Sequence, residues 1–562
     1  MCGIAGVISK ESTDVVPFMK SMMMCMKNRG PDGAGLSIDK EIYQSNSVEK
    51  LSFDNTSSDM VLGHVRLAIV GGTCGSQPFK SCDNRLLLEH NGEIYNYKEL
   101  RQELIKRHKF SSHTDSEVVV HLLEDNYNRN NCTDLVKAIK DTMEQLDGVY
   151  VFAIKDQHTG NVYLVRDRLG IRQIYYGENK EIIGFASERK ALWEIGLKEP
   201  TYSLLPGHCV IISKNISKPF KMLDPPVSQS QLYNTMEDSI DIYKKVLLNS
   251  IKKRTQDQEK IGVIFSGGID SVLIAHIIRD FVPDVTCYTT GVKGSLDLEF
   301  VKSIGKELDL NLRTRELDYD YVEKHLPDII NIIETNNLTQ VETAIPIFAA
   351  VQMAASDNQR ILFSGQGADE LFGGYPWYRN VVAKEGYDRL REHMTQDLLL
   401  LYKETLERED KISMAFSIES RVPFLDPKVV RASTSIDMKL NINDDNDIFG
   451  KRVHRELALR LGIPHHIAYR EKLAAQHGSG IHDFLKKIAN KNFYTKDMVT
   501  KTYIDKLELR EKLGSSDRYG YLYGSQELWK TDPTVQMYLD NIICSYNKKY
   551  LNQIICSYNK KK

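Results

Sequence analysis

The 562-residue chain lacks a surplus of charge of either sign: 74 Lys and Arg stand against 76 Asp and Glu, a formal net charge of −2. A surface dedicated to nucleic acid needs a basic excess, so that class of function is set aside. No run reaches the roughly 18 apolar residues that a membrane-spanning helix requires. The longest apolar-rich stretch, 344–355, is interrupted by Pro346 and Gln352 and reads as a buried helix. The start, Met1-Cys2-Gly3-Ile4-Ala5-Gly6, lacks the basic segment and apolar core of a secretory signal. The nine cysteines (Cys2, Cys25, Cys74, Cys82, Cys132, Cys209, Cys287, Cys544, Cys556) form no CxxC and no Cys/His cluster along the chain. Neither a zinc site nor a disulfide framework is therefore expected, and a reduced cytoplasm is the natural compartment. There is no GxxxxGK[ST], which excludes a Walker-type nucleotide loop.

What is present is ordinary in bulk, 41% hydrophobic and 27% charged, but too long for one core, so several domains are expected. Up to residue 213 the sequence is strand-rich. The segments 60–70, 85–89, 149–155, 162–166, 182–186 and 209–213 are short, β-branched and bounded by Gly or Asn. Helical patterns at 115–123 and 136–145 interrupt them. A stretch with Pro219, Pro225 and Pro226 marks a linker. Helix and strand then alternate: helices at 242–255 and 272–279, strands at 261–265, 285–290 and 361–364. That rhythm predicts a parallel sheet flanked by helices. Beyond about residue 380 the pattern is mostly helical. The end repeats itself, IICSYNKK at 542–549 returning at 554–561, and reads as an exposed, disordered lysine-rich tail. The expected division is 2–213, linker 214–235, 236–540 and tail 541–562.

Cys2 is the first residue to weigh. Removal of Met1 exposes an α-amine of pKa ~7.7–8.0 beside a thiol of ~8.5, so one residue supplies both nucleophile and base. Alone, a second-position cysteine is more often an incidental small hydrophobe. Its company changes that reading. Met1-Cys2-Gly3-Ile4-Ala5-Gly6, Asn28-Arg29-Gly30-Pro31-Asp32-Gly33, Gly63-His64-Val65-Arg66-Leu67-Ala68-Ile69, Asn91-Gly92-Glu93-Ile94-Tyr95-Asn96 and Thr114-Asp115-Ser116-Glu117 occur in order. Arg166-Asp167-Arg168-Leu169-Gly170-Ile171-Arg172 and Phe185-Ala186-Ser187-Glu188 follow. Together they resemble the class II glutamine amidotransferase domain, an N-terminal-nucleophile (Ntn) hydrolase with an αββα sandwich, over residues 2–213. The resemblance implies an oxyanion hole from the Asn91 side chain and the Gly92 N–H, each donor worth ~3–4 kcal/mol. It implies Arg66 on the α-carboxylate of glutamine, where a planar fork exceeds Lys. Glu93 and Asp115, with Asn91, complete the glutamine site.

The second signal is Ile261-Gly262-Val263-Ile264-Phe265-Ser266-Gly267-Gly268-Ile269-Asp270-Ser271, a strand running through SGGIDS into a helix. Glycines let backbone close on a phosphate, and the helix offers free N–H groups and the positive end of its dipole. The motif resembles the PP-loop of ATP pyrophosphatases, which cut between the α- and β-phosphates. A second loop, Ser364-Gly365-Gln366-Gly367-Ala368-Asp369-Glu370-Leu371-Phe372-Gly373-Gly374-Tyr375, resembles the second ATP loop of asparagine synthetases. The resemblance implies Asp270 and Asp369 as Mg²⁺ ligands, and Ile264, Ser266, Gly267, Gly268, Asp270, Ser271, Thr290, Ser364 and Gly365 around ATP. It implies Lys451, in Lys451-Arg452-Val453-His454-Arg455-Glu456, on the transferring phosphoryl group, with Gln366 and Glu370 in the synthetase site. Glu409-Asp410-Lys411-Ile412-Ser413-Met414-Ala415-Phe416 and Glu419-Ser420-Arg421-Val422-Pro423-Phe424-Leu425-Asp426 extend it.

The expected fold is thus α/β and α+β in two domains: an Ntn-hydrolase sandwich, then a parallel-sheet PP-loop domain with a helical extension. Their order resembles that of glutamine-hydrolysing asparagine synthetases to about residue 490. The implied reaction takes aspartate, glutamine and ATP to asparagine, glutamate, AMP and pyrophosphate, with ammonia passing through an internal channel. ATP and Mg²⁺ are the implied cofactors; the implied partners are small molecules only, no nucleic acid or membrane, and a homodimer is allowed. The competing readings are an amide ligase of the same scaffold for another carboxylate, such as a β-lactam synthetase, and a regulatory protein with degenerate sites. Retention of Cys2 and Asn91-Gly92 argues for a true amidotransferase. One departure stands out: many asparagine synthetases carry Glu where this chain has Gln366. Glutamate accepts a proton from attacking ammonia, and a neutral amide does not. Either Gln366 acts as a hydrogen-bonding element, or the acceptor carboxylate differs.

Overall fold

The computed structural model describes residues 1–562 apart from 54–55, 73–74, 198–199, 471–478, 506, 508–531 and 546–562. Most of the repeated tail therefore lies outside the described residues, while 541–545 continue the helix Pro533–Ser545. The chain forms two compact units, one of residues 1–225 with 414–417, the other of 226–413 with 418–562.

The first unit is built on two sheets. One runs, in spatial order, β11 (Tyr202–Ser203), β9 (Tyr175–Glu178), β10 (Ile182–Ala186), β1 (Cys2–Ser9), β4 (Met60–Arg66), β2 (Gly33–Ile38) and β3 (Glu41–Ser45). The other runs β13 (Phe220–Lys221), β12 (His208–Ile212), β8 (Val162–Arg166), β7 (Gly148–Asp156), β6 (Leu86–Ile94) and β5 (Phe79–Lys80). Every pairing between these strands is antiparallel. Side chains alternate between faces with period two, and the apolar residues sort accordingly. Ile4, Ile8 and Leu62 of the first sheet meet Val151, Ala153, Val162, Leu164 and Val210 of the second in one shared core. Ala5, Val7, Leu36 and Val61 point the other way, onto Val16, Met19, Met22 and Met23 of the helix Val16–Cys25. Leu86, Leu88, Phe152 and Ile154 likewise pack outward against the helices Asp115–Arg129 and Leu135–Gln145. Two sheets face to face with helices on both outer sides make the αββα sandwich. Strand β6 runs five residues past its expected end at 89, because its ladder with β7 continues to Ile94↔Gly148. The hydrophobic pattern stops earlier because Glu89, Asn91 and Glu93 occupy its inner face. Strand β13 lies within the proline-bearing stretch read as linker.

The second unit holds a five-stranded, wholly parallel sheet in the order β16 (Asn311–Leu317), β15 (Asp284–Val292), β14 (Lys260–Ile264), β17 (Ile361–Phe363) and β18 (Glu419–Arg421). From β14 the chain builds outward first to β15 and β16, then returns to the other side for β17 and β18. That reversal creates a crevice at the carboxyl ends of β14 and β17, where open α/β sheets bind ligands. The helix Ile269–Ile278 is apolar nearly all round and almost wholly buried. Residues 344–355 lie in the buried helix Leu338–Ser356, which carries Pro346 inside it. Among the described residues no helix is long and apolar enough to cross a membrane.

Candidate active sites

Strand register decides what surrounds Cys2. On β1 and β4 it lies opposite Arg66, and Ile4 lies opposite His64. Since Ile4, Ile8 and Leu62 belong to the inter-sheet core, Cys2 and Arg66 project into the same layer. Asn91 pairs with core residue Val151 and Glu93 with Val149, so both enter that layer from the facing sheet. The backbone N–H of Cys2 donates to Asn91 Oδ1 at 3.0 Å. Asn91 is fully buried, and its Nδ2 has no hydrogen-bond partner among the described residues. A buried donor left unmade costs ~1–3 kcal/mol; beside a nucleophile it is the donor that a developing oxyanion satisfies. Gly92 follows because a Cβ there would meet the Val149 carbonyl oxygen at 2.0 Å and Tyr150 Cα at 2.7 Å. No other residue permits the close approach of β6 and β7.

Asp115 opens the helix Asp115–Arg129, which Thr114 caps by accepting the Glu117 N–H at 3.3 Å. Its Oδ2 accepts the Ile94 N–H at 2.9 Å, tying the helix start to the end of β6. Arg66 is almost wholly buried and its Nη2 donates to the Val70 carbonyl at 3.2 Å. Burial pushes the Cys2 thiol up from its ordinary pKa; the charged chain terminus, the Leu67 backbone and Arg66 oppose this, and Asp115 adds to it. Arg66 and Asp115 are thus both within electrostatic reach of the sulfur. Three residues inside the recognised motifs, Arg29, Ser187 and Glu188, have roles that the motifs alone do not reveal. Arg29 Nε donates to the Cys2 carbonyl at 3.2 Å, and its Nη1 lies 3.1 Å from Glu188 Oε1, both side chains buried. Burial disfavours the Glu188 charge, but Lys190 and Arg29 beside it hold its carboxyl below the usual range. Ser187 Oγ accepts the Ile4 N–H at 3.0 Å. Cys2 is therefore fixed through its backbone on both sides.

The second site sits at the crevice of the parallel sheet. After β14, the turn through Ser266, Gly267 and Gly268 is closed by the Gly268 N–H donating to Ser266 Oγ at 3.3 Å and by Ser271 Oγ donating to the Gly268 carbonyl at 2.9 Å. The helix Ile269–Ile278 then offers its unpaired first-turn N–H groups toward the loop. After β17, Ser364-Gly365-Gln366-Gly367 leads into the short helix Ala368–Phe372. The loops lie side by side: a Cβ on Gly365 would come within 3.0 Å of Asp270 Cβ. Lys451 Nζ is 2.7 Å from each Asp270 carboxylate oxygen and 2.7 Å from Asp369 Oδ1. Lys451 itself is 1% exposed, whereas the two aspartates are 16% and 17% exposed. It precedes the helix Arg452–Arg460 rather than lying on it, with its N–H donating to the Phe372 carbonyl at 3.1 Å. A Cβ on Gly374 would fall 2.0 Å from Asp369 Oδ1 and 2.1 Å from Lys451 Cε, so glycine there is what admits the cluster. Two carboxylates against one ammonium leave a net negative, oxygen-only, partly open site, which fits a hard divalent cation.

His454, another residue without a sequence-assigned role, lies buried behind this cluster. Its Nε2 is 3.2 Å from Asp270 Oδ1 and its Nδ1 is 2.7 Å from the Tyr243 hydroxyl. Burial lowers its pKa, and the Asp270 carboxylate beside it opposes that shift. Thr290 Oγ1 donates to the Pro346 carbonyl at 2.9 Å, Ile264 is half-buried at the end of β14, and Glu370 accepts from the Tyr375 hydroxyl. Gln366 Nε2 donates to Glu409 Oε2 at 3.1 Å. The same oxygen accepts from Ser364 Oγ at 2.8 Å, and Oε1 accepts from Ser420 Oγ. A buried carboxylate therefore does stand beside position 366, supplied from the helix Leu406–Ala415.

Comparison with known proteins agrees with both halves. Residues 1–205 match the family model of the glutamine amidotransferase domain, and residues 243–387 and 382–540 that of asparagine synthase. A Methanocaldococcus jannaschii protein assigned as asparagine synthetase (glutamine-hydrolyzing) 1 is 32% identical over 558 residues, covering 90% of this chain and 99% of the relative. Asparagine synthetase (glutamine-hydrolyzing) 1 of Arabidopsis thaliana is 28% identical over 521 residues, 89% of this chain and 82% of the relative. Among solved structures, the glutamine phosphoribosylpyrophosphate amidotransferase from B. subtilis aligns at 21% identity over 52% of this chain and 67% of that one, with a TM-score of 0.34. Matched in both domains and along nearly its whole length, this chain belongs to the glutamine-hydrolysing asparagine synthetase family.

Proposed function

We propose that this protein makes asparagine from aspartate, glutamine and ATP, with residues 2–213 as glutaminase and 236–540 as synthetase. The observation that carries the reading is the presence in one chain of two complete constellations. One is Cys2 beside Asn91, whose Nδ2 has no partner among the described residues; the other is Asp270, Asp369 and Lys451 at the sheet's switch point.

In the first site, with Met1 removed, the α-amine of Cys2 takes the thiol proton as sulfur attacks the amide carbon of glutamine. The oxyanion of the tetrahedral intermediate accepts hydrogen bonds from Asn91 Nδ2 and the Gly92 N–H. The amine returns the proton to the leaving nitrogen, ammonia departs, and water hydrolyses the thioester to glutamate. Arg66 holds the α-carboxylate, and Glu93 and Asp115 hold the α-ammonium. In the second site, an oxygen of the aspartate β-carboxylate displaces pyrophosphate from the α-phosphorus of ATP, and ammonia then displaces AMP from the acyl-adenylate. The Ser266–Ser271 loop cradles phosphate and Lys451 offsets charge on the transferring group. Asp270 and Asp369 would hold Mg²⁺, which when bound neutralises phosphate charge. His454 orients Asp270 from behind. Gln366 serves as a hydrogen-bonding element, and the nearest carboxylate to it is Glu409. The reduced cytoplasm keeps the Cys2 thiol available.

The test is product analysis with a panel of carboxylic acids. Aspartate should give asparagine with AMP and pyrophosphate in equal amounts, and Asp270→Asn should remove synthesis while leaving glutamine hydrolysis intact. ADP and orthophosphate as products would refute the PP-loop reading. Turnover of another acid but not of aspartate would move the acceptor and leave the glutaminase standing.

A further inference from the structure

We propose that Cys82, His108, His121 and Glu124 form a structural zinc site in the glutaminase unit, distinct from the residues assigned to the glutamine centre. Along the chain these residues show no metal-binding spacing, and the expectation of no Cys/His cluster holds only in one dimension. The fold assembles them. Cys82 sits in the turn between β5 and β6, His108 follows the helix Tyr97–Leu104, and His121 and Glu124 are i, i+3 neighbours on the helix Asp115–Arg129.

Cys82 Sγ lies 3.5 Å from His108 Nδ1 and 3.7 Å from His121 Nδ1. Glu124 Oε2 lies 3.2 Å from His108 Nδ1 and 3.7 Å from His121 Nδ1, and all four donor atoms fall within 4.8 Å of one another. With Zn–S near 2.3 Å and Zn–N and Zn–O near 2.0–2.1 Å, ligands at the corners of a tetrahedron stand about 3.3–3.6 Å apart. Four of the six distances between them, 3.2 to 3.7 Å, bracket those edges, and the other two lie within 4.8 Å. Both histidines turn the same nitrogen inward, their rings stacked 4.9 Å apart. One thiolate and one carboxylate neutralise a 2+ ion. A sulfur ligand with imidazoles selects zinc over Mg²⁺ or Ca²⁺, which prefer oxygen alone. Four protein ligands leave no open position, so the site is structural rather than catalytic.

The surroundings are those of a metal site as well. His108 Nε2 is 2.7 Å from Asp125 Oδ1, and Asp125 Oδ2 is held by Arg107 Nε at 3.1 Å and Nη2 at 2.6 Å. That carboxylate–histidine pairing fixes the tautomer which leaves Nδ1 free to bind. His121 Nε2 faces Glu117 Oε1 at 3.7 Å. Glu124 also accepts the N–H groups of Cys82 at 2.9 Å and Asp83 at 3.0 Å, which sets the turn that carries the thiol. His108, His121 and Glu124 are buried while Cys82 reaches the surface, giving the ion a way in. The bound metal would pin the helix whose first residue, Asp115, serves the glutamine site.

The full-length, untagged chain is tested with Zn²⁺ and Co²⁺ alone. One Zn²⁺ per chain is expected, with affinity reduced at least about tenfold in Cys82→Ser and in His108→Gln. The exposed Cys132→Ser serves as a control that binds like the native chain. The Co²⁺ form should show a thiolate-to-metal band in the near ultraviolet and intense tetrahedral bands in the visible, the first absent in Cys82→Ser. Because Cys82 is at the surface, that variant is expected to fold, and circular dichroism checks it. Equal Zn²⁺ affinity in native and Cys82→Ser chains, no uptake by the native chain, or a weak octahedral Co²⁺ spectrum would each overturn the proposal.

Discussion

Replacing Asn91 separates two roles that one side chain holds. Its Oδ1 accepts the Cys2 N–H at 3.0 Å, and its Nδ2 is a buried donor without a partner among the described residues. In Asn91→Ala the oxyanion loses that donor, about 3–4 kcal/mol, and Cys2 loses a backbone hydrogen bond of about 1 kcal/mol. At 1.36 kcal/mol per decade, kcat/KM for glutamine should fall by about 10²–10⁴. Asn91→Asp keeps an acceptor for Cys2 but replaces the donor with negative charge where an oxyanion develops, so its loss should be at least as large. Glutamate release measures the first activity. AMP formation from aspartate and ATP with ammonium chloride measures the second, which should stay within about twofold of native because Asn91 lies in the other unit. If Asn91→Ala kept more than a tenth of the glutamine activity, or if Asn91→Asp matched the native enzyme, the oxyanion assignment would be refuted.

Cys2→Ala should abolish glutamine-dependent synthesis while ammonia-dependent synthesis survives; equal loss of both in a folded variant would sink the nucleophile. At the synthetase loop, Gln366→Ala leaves Glu409 without its amide donor and should cut ammonia-dependent synthesis more than tenfold. Gln366→Glu sets two carboxylates about 3 Å apart, so one must hold a proton, and activity should persist with an altered pH profile. Native-like synthesis by Glu409→Gln would show that this carboxylate is not required. Asp426 offers a stability test. Burial opposes its charge, yet Arg254 at 2.8 Å and Lys253 at 2.5 Å hold its pKa down to about 2. A folded pKa below the unfolded ~3.9 contributes stability above about pH 5, of order 2.5 kcal/mol, falling to about half by pH 3. The gap in unfolding midpoint between native and Asp426→Asn chains should shrink as pH falls from 5 to 3, and a constant gap would contradict the pairing.

The sequence by itself determined the features that backbone geometry imposes locally. Glycines that admit phosphate, a strand entering SGGIDS, a helical pattern at 115–123 and a cysteine beside the chain start are each specified within a few residues, so spacing alone exposes them. Strands were legible as short β-branched segments bounded by Gly or Asn, except where β6 carries Glu89, Asn91 and Glu93 inward and the polar site hides the strand's length. Tertiary structure decided what depends on which distant strands become neighbours. Arg29 meets Glu188 across 159 residues. His454 reaches Asp270 behind the nucleotide loop, and Glu409 comes to stand beside Gln366. Cys82, His108, His121 and Glu124 converge from a turn, a loop and a helix. None of these pairings has a local signature, because a charge or an imidazole is stable at many exposed positions. Only the sheet order, set by burial of whole apolar faces, brings such groups within bonding distance, where desolvation makes their partners obligatory.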